Sequence, residues 1–150
     1  MMDARSMRSF LVVVCASLVL AENESEAHFR PKRNALQLCD IINRYTGRFC
    51  LSYNNYGCFC GLRSVGSNPL DDADRCCQTH DRCFAALPCQ HLPLLTYSMR
   101  CSGSSCTCNN QNRNSCQYRS CQCDVQFGEC LRGTSYNRSY RNYRTHRISR

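Results

Sequence analysis

Apolar residues recur at i, i+3, i+4 and i+7 over residues 34–45, where Leu38, Ile41, Ile42 and Tyr45 make one face of a short amphipathic helix. Thr46-Gly47 ends it. The period is lost over 51–71, which is rich in Asn, Gly, Ser and Pro and reads as a long loop. Asp71 or Asp72 can then cap a helix through CCQTHDRCFAAL, which Pro88 stops. Residues 89–108 are irregular, with short strand-like pieces around 94–99 and 105–107, and NNQNRNS at 109–115 is a polar turn or loop. A last helix is expected over 116–130, where Cys123, Phe127 and Cys130 fall at i, i+4 and i+7. No internal repeat is visible, and the pattern predicts one domain followed by a tail.

The first 33 residues stand apart. Arg5 and Arg8 precede an apolar run over 10–20, and Val19 and Ala21 supply small residues for a signal peptidase. That predicts a signal peptide over 1–21, too short in its apolar part to cross a bilayer. Residues 22–33 are polar and end in Arg30-Pro31-Lys32-Arg33, either a solvated linker or a furin-type processing site. The position just before the first helix favours a propeptide, so the mature chain is expected to start at Asn34 and to be secreted.

Export decides what the cysteines are for. The chain has 16, of which 15 lie in residues 34–150. Such density outside the cell predicts a disulfide framework stapling a domain with a small core. The odd count leaves at least one thiol unpaired or bonded to another chain.

Charge is unevenly placed. Residues 34–150 hold 14 arginines, no lysine and seven acids, a net of +7. Six of the arginines and no acid fall in 131–150, while 34–130 is nearly balanced. This Arg/Tyr-rich tail suits an anionic surface, either acidic membrane lipid or a sulfated polysaccharide. Nucleic acid would fit the charge, but export argues against it as a partner. A disordered, solubilising tail is the plainer alternative. Asn23 and Asn137 sit in N-x-S sequons, the first within the expected propeptide.

The octet CCQTHDRC at 76–83 concentrates the candidate chemistry. A zinc site needs thiolates, which export oxidises, and the C-x-x-C dithiol of a redox centre is absent from this stretch. On a helix, His80 and Asp81 point about 100° apart, so they need not be a hydrogen-bonded pair. A packed helix histidine is the ordinary reading of such a residue.

YGCFCG, then DDADRCCQTHDRC, then CQCD, in this order over 34–130, resemble the secreted phospholipase A2 family. The resemblance implies a mainly α, disulfide-rich fold: an N-terminal helix, a calcium-binding loop, two long antiparallel helices and a small β-wing. It implies hydrolysis of the sn-2 ester of glycerophospholipids at a membrane surface, with Ca2+ as cofactor. His80 would be the general base that activates water, Asp124 would orient it, and Tyr97 would support Asp124. The partner of Tyr97 in that role is replaced by Phe84. Asp81 would ligate calcium with carbonyls of Phe59, Gly61 and Arg63, and the Gly61 N–H would help hold the oxyanion. By family position the bridges would be Cys60–Cys77, Cys76–Cys130, Cys83–Cys123, Cys89–Cys116 and Cys108–Cys121. Cys101 would join Cys50, and Cys39, Cys58 and Cys106 are left unassigned.

The calcium loop departs from the family pattern. Arg63 and Ser64 stand where two glycines are expected, and the loop is one residue longer. Glycines there allow positive φ and close approach of the backbone to an ion. Two readings follow: a calcium-dependent lipase, or a non-catalytic member of the same fold that binds a surface.

Overall fold

The computed structural model describes residues 35–61, 68–89 and 95–143. All lie within one compact unit, Pro31–Arg150. The expected signal peptide and propeptide, and Arg63, lie outside the described residues.

Helix α1 runs Ala35–Thr46 and buries Ile41, Ile42 and Tyr45, the face given by its apolar period. Gly47 adopts φ +65° and turns the chain back, so that Cys50 N donates to Asn43 Oδ1 at 2.8 Å. A 3-10 turn, Cys50–Tyr53, follows. The segment read as a long loop is anything but loose at its start: Tyr53, Tyr56, Cys58, Phe59 and Cys60 are all buried. Helix α2, Asp72–Ala85, is capped by Asp71, whose side chain accepts from Asp74 N. Strands β1, Met99–Ser102, and β2, Ser105–Cys108, form an antiparallel hairpin. Helix α3, Cys116–Arg132, starts on Ser115, which accepts from Tyr118 N.

The bridges Cys76–Cys130 and Cys83–Cys123 pair rising numbers on α2 with falling numbers on α3, so the two helices run antiparallel. Helix α1 crosses α3 where Gly128 has no side chain. A Cβ there would meet Ile41 Cγ2 at 2.6 Å and the Tyr45 ring at 2.9 Å. Among the described residues the core has three clusters: one around Ile42, Tyr56, Phe59 and Phe127; one around Ile41, Tyr45, Tyr97 and Cys121; and one of Phe84, Leu87 and Cys123.

Seven disulfides occur among the described residues. Five join Cys60–Cys77, Cys76–Cys130, Cys83–Cys123, Cys89–Cys116 and Cys108–Cys121. The expected Cys50–Cys101 bridge is replaced by Cys39–Cys50 and Cys101–Cys106. Local geometry accounts for both. The reversal at Gly47 returns Cys50 to α1, with 5.0 Å between its Cα and that of Cys39. Cys101 and Cys106 are directly paired across the hairpin, 4.0 Å apart at Cα. Cys58 is buried in the first cluster, outside the seven bridges.

The boundary expected from the sequence falls at 130/131. Helix α3 continues to Arg132, Leu131 is buried, and the chain then lies back on the core. Tyr136 Oη donates to Ser52 O, Asn137 N to Tyr56 Oη, and Gly57 N to Tyr140 O. Tyr136 packs edge-on to Tyr53 and tilted against Tyr56, with the Arg48 guanidinium over its ring. Residues 133–143 are thus a strap, while 144–150 lie outside the described residues.

Candidate active site

His80 and Asp124 meet because α2 and α3 are bolted together on either side of them. Asp124 follows Cys123 on α3, and the Cys83–Cys123 bridge fixes the helix spacing one turn away. His80 Nε2 lies 2.7 Å from Asp124 Oδ1, with side-chain exposures of 12% and 2%. This hydrogen bond occupies one ring nitrogen and leaves Nδ1 as the nitrogen that Asp124 does not engage. The second carboxylate oxygen, Oδ2, accepts from Tyr97 Oη at 2.7 Å. Burial first, and then the Asp124 charge, push the Tyr97 hydroxyl well above its ordinary pKa, so it stays a donor. A buried carboxylate with both oxygens hydrogen-bonded is a fixed partner for an imidazole that gains charge.

Three further residues hold this arrangement. Gln37 on α1 brackets the Tyr97 backbone, its Nε2 donating to Tyr97 O at 2.7 Å and its Oε1 accepting from Tyr97 N at 3.2 Å. Phe127, one turn beyond Asp124, stacks on the imidazole with centroids 4.4 Å apart and planes at 26°. Phe84, one turn beyond His80, meets the same ring edge-on at 4.9 Å. Phe84 takes its place in this pocket as an apolar wall, so one hydroxyl reaches Asp124 where the family resemblance provides two. The i+3 and i+4 spacings of Phe127 and Phe84 were a legible signal, since each shares a helix face with the polar residue it follows.

Asp74 is fully buried, and its carboxylate accepts from Cys58 N at 2.9 Å, Phe59 N at 2.8 Å and Leu70 N at 2.9 Å. It therefore ties together the two flanks of the loop between 58 and 70. Gly57 sits directly against it at φ +58°, and a Cβ there would fall on the Asp74 carboxyl group. Tyr56 Oη donates to Asp71, and burial, followed by this hydrogen bond, raises the Tyr56 pKa.

Asp81, the next residue after His80 on α2, is half-buried. Phe59 is buried and pinned through its N–H by Asp74, and Gly61 adopts φ +113°. Arg63 lies outside the described residues. No group of three or more His, Cys, Asp or Glu side chains able to hold a metal occurs among the described residues. A cation beside Asp81 would therefore draw on main-chain oxygens and water as well as this carboxylate. That all-oxygen donor set fits a hard cation such as Ca2+ and does not fit zinc.

No described helix is long and apolar enough to cross a membrane. A family model described as Phospholipase A2 matches residues 35–141. The chain is 41% identical over 100 residues to a phospholipase A2 of Bos taurus, covering 61% of this chain and 68% of that one. It is 45% identical over 101 residues to a membrane-associated phospholipase A2 of Mus musculus, covering 65% and 68%. It is 36% identical over 137 residues to the acidic phospholipase A2 homolog taipoxin gamma chain of Oxyuranus scutellatus scutellatus, covering 85% and 86%.

Proposed function

The chain belongs to the phospholipase A2 family, and from that premise we propose that it is a secreted, calcium-dependent phospholipase A2 acting on glycerophospholipids at anionic membrane surfaces. The observation that carries the proposal is the continuous chain from His80 through Asp124 to Tyr97, held between two disulfide-bonded helices.

In this reading a water molecule is the nucleophile and His80 Nδ1 takes its proton. An imidazole titrates near neutrality, which suits it as the base for ester hydrolysis. Asp124 keeps the proton of the neutral ring on Nε2, so that the acceptor lone pair is on Nδ1. It also offsets the charge once the ring is protonated, and Tyr97 holds Asp124 still. General base catalysis of this kind is worth about 10²–10⁴-fold. Phe127 and Phe84 fix the plane of the ring and keep bulk water off its faces. Calcium held by Asp81 and by main-chain oxygens of Phe59, Gly61 and Arg63 would polarise the ester carbonyl and stabilise the oxyanion, beside the Gly61 N–H. Leu36, Phe49 and Leu51 are large exposed apolar side chains able to enter a lipid surface, and the arginines of 131–150 favour anionic headgroups or a sulfated polysaccharide.

The test is fatty-acid release from anionic vesicles by the purified protein. Release from the sn-2 position is expected, with loss on chelation and on His80→Gln. Turnover by the His80→Gln variant equal to the parent would refute the assignment.

Arg63 and Ser64, in place of glycines in the loop, favour a second reading: a surface-binding member without turnover. It requires no release in calcium on the order of millimolar, with vesicle binding unaffected by His80→Gln and weakened by removal of 144–150. The truncation stops at 143 because Leu131 and Tyr136 are part of the packed domain.

A further inference from the structure

Asn137-Arg138-Ser139 matches the N-x-S acceptor pattern with a residue other than proline in the middle, and the hydrolytic site does not use it. We infer that Asn137 is an N-glycosylation site, receiving an oligosaccharide from a polyprenyl-diphosphate-linked donor. The inference rests on the export proposed above, since that donor is met only on the secretory route.

The strap separates the residues that hold it down from those that face outward. Tyr136 and Tyr140 pack against the first core cluster, whereas Asn137, Arg138 and Ser139 are all exposed. The strap is fastened through Tyr136 Oη, the Asn137 backbone N–H and the Tyr140 carbonyl. Among the described residues, the Asn137 side chain is engaged at its oxygen: Oδ1 accepts from Ser139 N at 3.0 Å and caps the turn Arg138–Tyr140.

That division matters because N-glycosylation takes place at Nδ2. The amide nitrogen forms a bond to C1 of the donor sugar, the C1–O bond to the diphosphate breaks, and the polyprenyl diphosphate leaves with the electron pair. The amide gives up one proton to base and keeps one N–H. Oδ1 remains an acceptor, so the cap on Ser139 survives, and the contacts named above that fasten the strap do not involve the atom that is modified. A bulky hydrophilic group can therefore be carried with residues 133–143 in place. It would stand next to the exposed Arg138 in the chain.

The other sequon, at Asn23, falls in the expected propeptide, so one glycan is expected on the mature chain.

The full chain is expressed in cultured animal cells and the medium analysed. The expected result is a secreted, disulfide-bonded protein whose mobility increases in one step on treatment with peptide-N-glycosidase. The tryptic peptide containing residue 137 should then carry Asp in place of Asn. Asn137→Gln and Ser139→Ala should both abolish the step, and Ser139→Thr should retain it. Ser139→Ala is the cleaner variant, because the cap uses the Ser139 backbone N–H and is left intact. Secreted, oxidised protein with unmodified Asn137 would overturn the inference while leaving export standing. Persistence of the step in Asn137→Gln would also overturn it. Protein confined to the cytosol with reduced cysteines would end the export reading, and this one with it.

Discussion

Replacing Asp74 with Asn tests whether one buried carboxylate organises the loop between 58 and 70. Oδ2 of Asp74 serves both Cys58 N and Leu70 N, and Oδ1 serves Phe59 N. Asparagine has a single acceptor oxygen. Its best placement puts that oxygen where Oδ2 lies and turns the NH2 toward Phe59 N–H, donor against donor. The lost charge-assisted bond is worth about 1.5–3 kcal/mol, and the buried N–H left without an acceptor costs about 1–3 kcal/mol more. A destabilisation of roughly 3–5 kcal/mol is therefore expected, or about 10–20 °C in Tm for a domain of this size. Thermal unfolding of the oxidised protein, followed by circular dichroism, measures it. Asp72→Asn is the control: its side chain is 84% exposed, and a change within about 0.5 kcal/mol is expected. Hydrogen exchange at the amides of 58, 59 and 70 should accelerate more than at the centre of α3. A Tm for Asp74→Asn within about 2 °C of the parent would refute the reasoning, as would unchanged exchange at those three amides.

Phe127→Leu keeps an apolar side chain but removes the ring stacked on His80; kcat should fall about 10–100-fold through loss of orientation, with KM little changed and Phe127→Tyr close to the parent. Replacing Cys76 and Cys130 by serine should cost about 4 kcal/mol, and replacing Cys101 and Cys106 only about 2, since the bridges close separations of 54 and 5 residues; denaturant unfolding of the two double variants orders them. The Tyr56 and Tyr97 hydroxyls are held above the ordinary tyrosine pKa, burial being the largest cause. Their contribution is complete below the unfolded value of about 10 and is lost as pH rises through the higher folded values. Tm should therefore be level through neutral pH and fall above about pH 10, less steeply in Tyr97→Phe.

Much of this was legible in the chain because the signals were local. The period of Leu38, Ile41, Ile42 and Tyr45, the cap at Asp71 and the stop before Pro88 place α1 and α2 to within a few residues. What was not legible was carried by contacts distant in sequence. Cys50 was matched to Cys101 by family position, while its true partner depends on a chain reversal at Gly47 and a hydrogen bond to Asn43. Residues 131–143 read as a solvated basic tail because composition counts arginines, whereas Tyr136 and Tyr140 find their partners some 80 positions earlier. Asp74 reads as an ordinary acid in the first turn of a helix, and only the fold reveals three backbone donors converging on it. Gln37 gave no signal at all, since a half-buried glutamine on an amphipathic helix is commonplace until Tyr97 is placed against it.

The bridges that bolt α2 to α3 also confine the site to one kind of place. In glutathione-rich cytosol the Cys76–Cys130 and Cys83–Cys123 links would lack the oxidising conditions that form and maintain them. Without those links, the two helices that carry His80 and Asp124 would lose the covalent ties that join them directly. On the proposed reading, a molecule that failed to enter the export route would be made without its working geometry, and redox chemistry alone would keep it from acting on the membranes of the cell that produced it.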